Sequence, residues 1–95
     1  MESLKSKMEF LVDCERINNF LERNQLIQAH GIAQRLENSF LEFCVKETPK
    51  DVENHPLWAA RRAAYFVKNE TLGGNTKKAV EENVVLTNII RKISA

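Results

Sequence analysis

Residues 25–45 read QLIQAHGIAQRLENSFLEFCV. Within this stretch Leu26, Ala29, Ala33, Leu36, Phe40 and Phe43 recur at spacings of 3, 4, 3, 4 and 3. That is the a/d rhythm of a helix whose apolar seam faces another helix. The rest of the chain agrees with an all-α reading. Only three glycines and two prolines interrupt 95 residues, and strict apolar/polar alternation is absent. The expectation is a small bundle of about four helices in one domain spanning residues 1–95.

Upstream, a first helix is expected from about Glu2 to Arg23. Its apolar residues form two rows. Leu4, Met8, Leu11 and Val12 lie on one side, and Phe10, Cys14, Ile17 and Leu21 form the other. A helix with so wide an apolar surface wants neighbours on more than one side. This is the reason to expect a homo-oligomer that associates through the N-terminal helical hairpin. Between Arg23 and Gln25 the chain either turns, with Asn24 as a cap, or runs on as one long helix. Gly31 marks either a close helix contact or a tolerated surface glycine, at about 1 kcal/mol relative to alanine.

Downstream, Thr48-Pro49-Lys50-Asp51 carries an N-cap pattern with proline at the first helical position. Asn54-His55-Pro56 repeats the signal and opens a third helix to about Asn69. Ala59, Ala60, Ala63 and Ala64 make that helix thin, with Leu57, Trp58, Phe66 and Val67 supplying bulk. Gly73-Gly74 ends it. Asn75 or Thr76 caps a last helix from about Lys77 to Ile93, whose Ala79, Val80, Leu86, Ile89, Ile90 and Ile93 are apolar and whose face Val84 and Val85 widen. No internal repeat is evident.

Hydrophobic content of 43% with 28% charge predicts a folded chain. No apolar run approaches the roughly 20 residues that span a bilayer, so a cytoplasmic protein is expected. A net charge of +1 argues against wholesale electrostatic binding of nucleic acid. Residues 1–47 hold six Lys/Arg against eight Asp/Glu, and residues 48–95 hold eight against five. That mild asymmetry suits an acidic partner or the orientation of two copies, and chance also provides it. Cys14 and Cys44 are expected reduced and packed as small hydrophobes.

Several residue groups could carry function. Trp58, Arg61, Arg62 and Tyr65 lie at helical offsets 0, 3, 4 and 7, so they share a face. A Trp/Arg/Arg/Tyr face is poor core and good interface, which makes it the expected partner-binding patch. Gly73, Gly74, Asn75, Thr76, Lys77 and Lys78 form a glycine turn before a helix N-terminus. Such a turn can hold a phosphate through backbone N–H groups, here with Arg61 and Arg62. This is the nucleotide- or anion-binding alternative. Cys14, His30, Cys44 and His55 lack zinc-finger spacing, and no metal or cofactor is expected.

The string from Arg23 to His30 resembles the short Arg-to-His signature of HEPN ribonucleases, an all-helical, dimeric family. The resemblance implies Arg23 and His30 as a catalytic pair. They would share a face if one helix ran through Asn24. Glu81 and Glu82 resemble the first acid pair on the carboxylate helix of all-α nucleotide pyrophosphohydrolases. The second pair is replaced here by Val84, Val85 and Leu86, so Glu81 and Glu82 are read as compensating a helix dipole.

The expectation drawn from these residues is a small non-enzymatic binding protein: a regulator, adaptor or inhibitor of the kind phages also make. It would act by protein–protein contact as a homo-oligomer. An anion or nucleotide binder, an RNase and a DNA-binding regulator rank behind it.

Overall fold

The computed structural model describes the backbone of residues 3–47 and 56–93. It contains four helices: α1 (Ser3–Glu22), α2 (Leu26–Glu47), α3 (Pro56–Leu72) and α4 (Thr76–Lys92). No strand occurs among the described residues. The helices form a closed ring in which each packs on the next and α4 returns to α1. The α2–α3 contact is the most extensive, and α1 packs least on its neighbours. The protein is an all-α helical bundle. The cap pattern at Thr48–Asp51, the signal at Asn54-His55 and the metal candidate His55 lie outside the described residues.

The chain turns at Asn24. The Gln25 amide donates to the Phe20 carbonyl (2.8 Å) and the Asn24 amide to that of Leu21 (3.0 Å). Asn24 has a φ of 57°. Together these make a Schellman stop with asparagine in the left-handed position that glycine usually takes. The Gln25 carbonyl then accepts the first bond of α2, from the Ala29 amide (3.2 Å).

The second turn repeats this pattern atom for atom. The Asn75 amide donates to Glu70 (2.9 Å), the Gly74 amide to Thr71 (3.2 Å) and the Ala79 amide to Asn75 (2.9 Å). Gly74 has a φ of 78°.

The core follows the same 50-residue offset. Phe10 and Ala60, Cys14 and Ala64, Ile17 and Val67, Leu21 and Thr71, Ala29 and Ala79, Ala33 and Asn83, Leu36 and Leu86, and Phe40 and Ile90 are all buried. The bundle is thus two similar helical hairpins, an internal repeat that the sequence reading rejects. Few of the paired residues are identical, because a buried position constrains size and polarity more than identity.

All six residues of the α2 seam are buried or packed against the core. Phe10 packs against Phe40 with ring centroids 4.6 Å apart and the rings tilted by 56°, and meets Phe43 edge-on at 5.9 Å. On α3, the buried Ala60, Ala63 and Ala64 let α2 approach closely. Gly31 is exposed, and a Cβ there would meet nothing, so it marks no close helix contact. Both cysteines are free and buried. Burial pushes the Cys14 thiol from 9.0 up to about 11 and also raises that of Cys44.

Among the described residues, polar links tie α1 to its neighbours. Lys7 Nζ donates to the carbonyls of Arg91 and Ile93, both at 2.9 Å, placing a cation on the C-terminal carbonyls of α4. Asn83 Nδ2 donates to the Cys14 carbonyl at 3.0 Å. Asp13 meets Arg35 of α2 at 3.5 Å.

Phe66, Val84 and Val85 are exposed, where the sequence pattern assigns them to packed faces. The core side of α4 is formed instead by Ala79, Asn83, Leu86 and Ile90, and that of α3 includes Val67. Glu81 and Glu82 fall beyond the first turn of α4, which begins at Thr76 and holds no acid, so they do not compensate its dipole.

Candidate functional site: the charged seam between α2 and α3

A single carboxylate organises the α2–α3 contact. Glu37 follows Leu36 on the seam of α2 and is buried, with 6% of its surface exposed. A buried carboxylate is costly unless it is paired and hydrogen-bonded. Two cations of α3 meet it. Lys68 Nζ lies 2.6 Å from Oε1, and an Arg61 guanidinium nitrogen lies 3.2 Å from Oε2. Arg61 and Lys68 are seven residues apart, two helical turns, so they approach the carboxylate from either side along α3.

Tyr65 sits between them. Lys68 Nζ is 5.0 Å from the ring centroid and the Arg61 guanidinium carbon is 5.7 Å from it. Both are within cation–π range. The Tyr65 ring also meets Phe66 edge-on at 5.9 Å. Glu37 therefore anchors two cations around one aromatic ring.

His30 stands two turns before Glu37 on α2. Its Nδ1 lies 3.1 Å from the Lys68 carbonyl oxygen and 3.3 Å from Thr71 Oγ1. The Thr71 hydroxyl itself donates to the Lys68 carbonyl at 2.7 Å. With that hydrogen committed, Nδ1 must be the donor in its own contacts, which fixes the tautomer. The hydroxyl points its hydrogen at a carbonyl and not at the imidazole, so His30 does not activate Thr71 as a nucleophile.

The four residues of the expected partner-binding patch divide. Arg62 is exposed and has no ion pair among the described residues. Tyr65 is partly exposed at the surface. Arg61 turns inward to Glu37, and Trp58 packs against the core. Leu72, 74% exposed, and Phe66, 43% exposed, extend the outward face. Tyr65 and Leu72 stand seven residues apart along it.

Arg23 and His30 do not share a helix face. Arg23 lies in the turn between α1 and α2, and the positive φ at Asn24 ends the continuous helix that the pairing requires.

The Gly73–Lys78 turn leads into the N-terminus of α4, where Asn75 makes no side-chain cap bond. The amides of Gly73, Gly74, Asn75 and Thr76 already donate to Asn69, Thr71, Glu70 and Gly74 within the turn. Lys77 and Lys78 are exposed. Arg61 and Arg62 sit roughly 17 Å away along the α3 axis at 1.5 Å per residue, beyond side-chain reach of the turn.

Among the described residues no group of three or more His, Cys, Asp or Glu is placed to hold a metal ion. No helix among them is long and apolar enough to cross a membrane.

Sequence reasoning misses Glu37, Lys68 and Thr71. The available signal is the seven-residue spacing of Arg61 and Lys68, which sets two cations on one side of α3. Nothing in the local sequence says that their counter-charge comes from α2.

Fold and seam together define a four-helix bundle in which one buried carboxylate pairs with two partly exposed cations beside an exposed aromatic–cationic face. In comparisons with family models, curated proteins and solved structures, nothing matches this chain.

Proposed function

We propose that the protein is a non-enzymatic helical binding module that recognises an acidic protein segment through the outward face of α3. The observation that carries this reading is the Glu37 anchor, which holds Arg61 and Lys68 beside the Tyr65 ring. Fixing long cationic side chains before binding reduces the entropy that binding must otherwise remove. Arg62, Phe66 and Leu72 complete the face with one further cation and exposed apolar surface. Aromatic and arginine residues are the types that dominate interface energetics. The seven-residue spacing of the exposed Tyr65 and Leu72 suits a partner helix with apolar residues flanked by acids.

A peptide-display selection on the purified protein tests this reading. Enriched sequences should carry Asp or Glu beside apolar residues and should lose at least tenfold in affinity against Tyr65→Ala and Arg62→Glu. Enriched peptides without an acidic bias, or equal binding by both variants, would remove it.

Self-association is a second part of the reading. On α2, Ile27, Leu41 and Val45 are exposed apolar residues within about 40° of one another around the helix axis. They support contact between copies through the N-terminal hairpin. Sedimentation velocity should give a species larger than one chain that Leu41→Glu with Val45→Glu converts to a monomer. A wild-type monomer at all concentrations would exclude this part.

A further inference from the structure

The repeat relates the α2–α3 seam to the seam between α4 and α1, but the residues at its centre differ. Arg61 is matched by Leu11 and Glu37 by Thr87. Without the charged residues the second seam stays open, and a cleft of about 490 Å³ runs between α1 and α4. One stripe of each helix lines it. Met8, Leu11, Val12 and Glu15 come from α1, and the same offsets on α4 give Val84, Thr87, Asn88 and Arg91. Each stripe has the spacing of a single helix face.

The two stripes are complementary under a two-fold rotation. Lys7 reaches the Arg91 carbonyl and Asn83 reaches the Cys14 carbonyl. The helices α1 and α4 therefore run antiparallel, with Leu11 about level with Thr87. A two-fold axis normal to the cleft at that level lays α1 of one copy over α4 of another. Residues equally far from Leu11 and Thr87 along their helices then face each other. Met8 lies over Val84, Val12 over Asn88 and Glu15 over Arg91. An apolar pair and an opposite-charge pair thus form twice.

One copy alone does not make these pairs. Glu15 and Arg91 stand at opposite ends of the cleft, about 12 Å apart along the helix axes at 1.5 Å per residue. Both are exposed, and neither has an ion pair among the described residues. Met8, Val12 and Val84 are more than half exposed. Apolar side chains on the rim of a groove between two helices can enter a facing groove as knobs.

We infer that the α1–α4 cleft is a two-fold contact surface for a second copy of this chain, with Glu15–Arg91 ion pairs flanking Met8, Val12 and Val84. An interface of this symmetry needs a patch complementary to itself. This one is so in both charge and apolar character. It gives Met8, Leu11 and Val12 of α1 the second neighbour that the helix's apolar width calls for. It depends on neither the acidic partner of α3 nor the apolar patch of α2. The cleft's eleven lining residues are about half of the roughly 20–30 that a standard interface uses per partner, so the contact is weak, with a Kd on the order of 0.1–1 mM. At the micromolar concentrations of sedimentation it is dissociated.

The test uses the full Leu41→Glu/Val45→Glu chain, so that α2 contributes no association. Amide shifts of the isotope-labelled protein are followed from about 20 µM to about 2 mM, which spans the expected Kd. Val12, Glu15, Val84 and Asn88 should move along one curve. In a mixture of labelled and unlabelled chains, isotope-filtered spectra should show a Met8–Val84 methyl contact. Within one copy these residues lie about 9 Å apart along the axes and on opposite sides of the cleft, so the contact arises only between copies.

Glu15→Arg and Arg91→Glu, both at exposed positions, should each weaken association about tenfold, because each sets like charges against one another twice. The two together should restore it to within about threefold of the parent.

Shifts independent of concentration would overturn the inference. So would single reversals without effect, a double reversal that does not restore association, or concentration-dependent shifts centred away from α1 and α4. The Met8–Val84 contact needs no substitution in the cleft, so its absence at the highest concentration overturns the inference whatever the reversals do.

Discussion

Asn24 and Gly74 hold the same left-handed backbone position, fifty residues apart, with φ values of 57° and 78°. Each terminates the first helix of a hairpin and is followed by the residue that starts the next. The chain thus solves one turning problem twice, once with asparagine and once with glycine.

That equivalence predicts how position 74 tolerates change. A Cβ at Gly74 meets nothing within 4 Å, so any cost comes from backbone conformation alone. Gly74→Ala should destabilise by about 1 kcal/mol, because alanine disfavours the left-handed region. Gly74→Asn should cost less than half of that, since asparagine already serves at position 24. Urea midpoints at constant slope measure both. Equal losses for the two substitutions would contradict the equivalence.

The Glu37 triad predicts an asymmetric mutational response. Glu37→Ala leaves two cations at the seam without their buried partner and should cost about 2–3 kcal/mol. Lys68→Met leaves Glu37 paired with Arg61 and should cost distinctly less. Chemical denaturation of the two variants decides the order. A larger loss for Lys68→Met would show that the carboxylate is not the anchor.

The buried thiols set a pH dependence. The folded Cys14 thiol titrates near 11 against 9.0 in the unfolded chain. A folded pKa raised in this way gives stability that is fully present below pH 9 and lost as pH rises towards 11. Cys44 acts in the same direction. Unfolding free energy should fall by about 2 kcal/mol across that window from Cys14 alone, and Cys14→Ala should flatten the decline. The same burial should leave Cys14 unreactive to iodoacetamide in the native protein at pH 8. Rapid native alkylation there would contradict its placement.

The aromatic core predicts a large local cost. Phe40 is fully buried and packed against the Phe10 ring, so Phe40→Ala should destabilise by about 3–5 kcal/mol. A thermal melt would read this as a large drop in midpoint or as loss of the cooperative transition. A near-neutral result would place Phe40 outside the core.

How much of this is legible in the sequence depends on whether the determining contact is local. The α2 seam is legible because its period is carried by side chains three and four residues apart. The alanine face of α3 and the glycine turn are legible for the same reason. The Asn24 turn is not, because asparagine both caps helices and sits within them, and only the bonds from Gln25 to Phe20 and from Asn24 to Leu21 distinguish the cases. The repeat is hidden because equivalent core positions exchange Phe10 for Ala60 and Ala33 for Asn83.

The site is the least legible part. Trp58, Arg61, Arg62 and Tyr65 do share α3, but Arg61 points at a carboxylate on another helix. Glu37 and Asn83 look like ordinary surface polar residues until packing places them inside. The two rows of α1 illustrate a partial reading. Phe10, Cys14, Ile17 and Leu21 are buried within one chain, whereas Met8 and Val12 border an open cleft.

The measurement that tests the central claim most directly is amide shift mapping with an acidic peptide taken from display selection. The account predicts perturbations confined to the outward face of α3, at Arg62, Tyr65, Phe66 and Leu72, with affinity falling as salt is raised. Perturbations centred on another helix, or binding that is indifferent both to salt and to Tyr65→Ala, would contradict it.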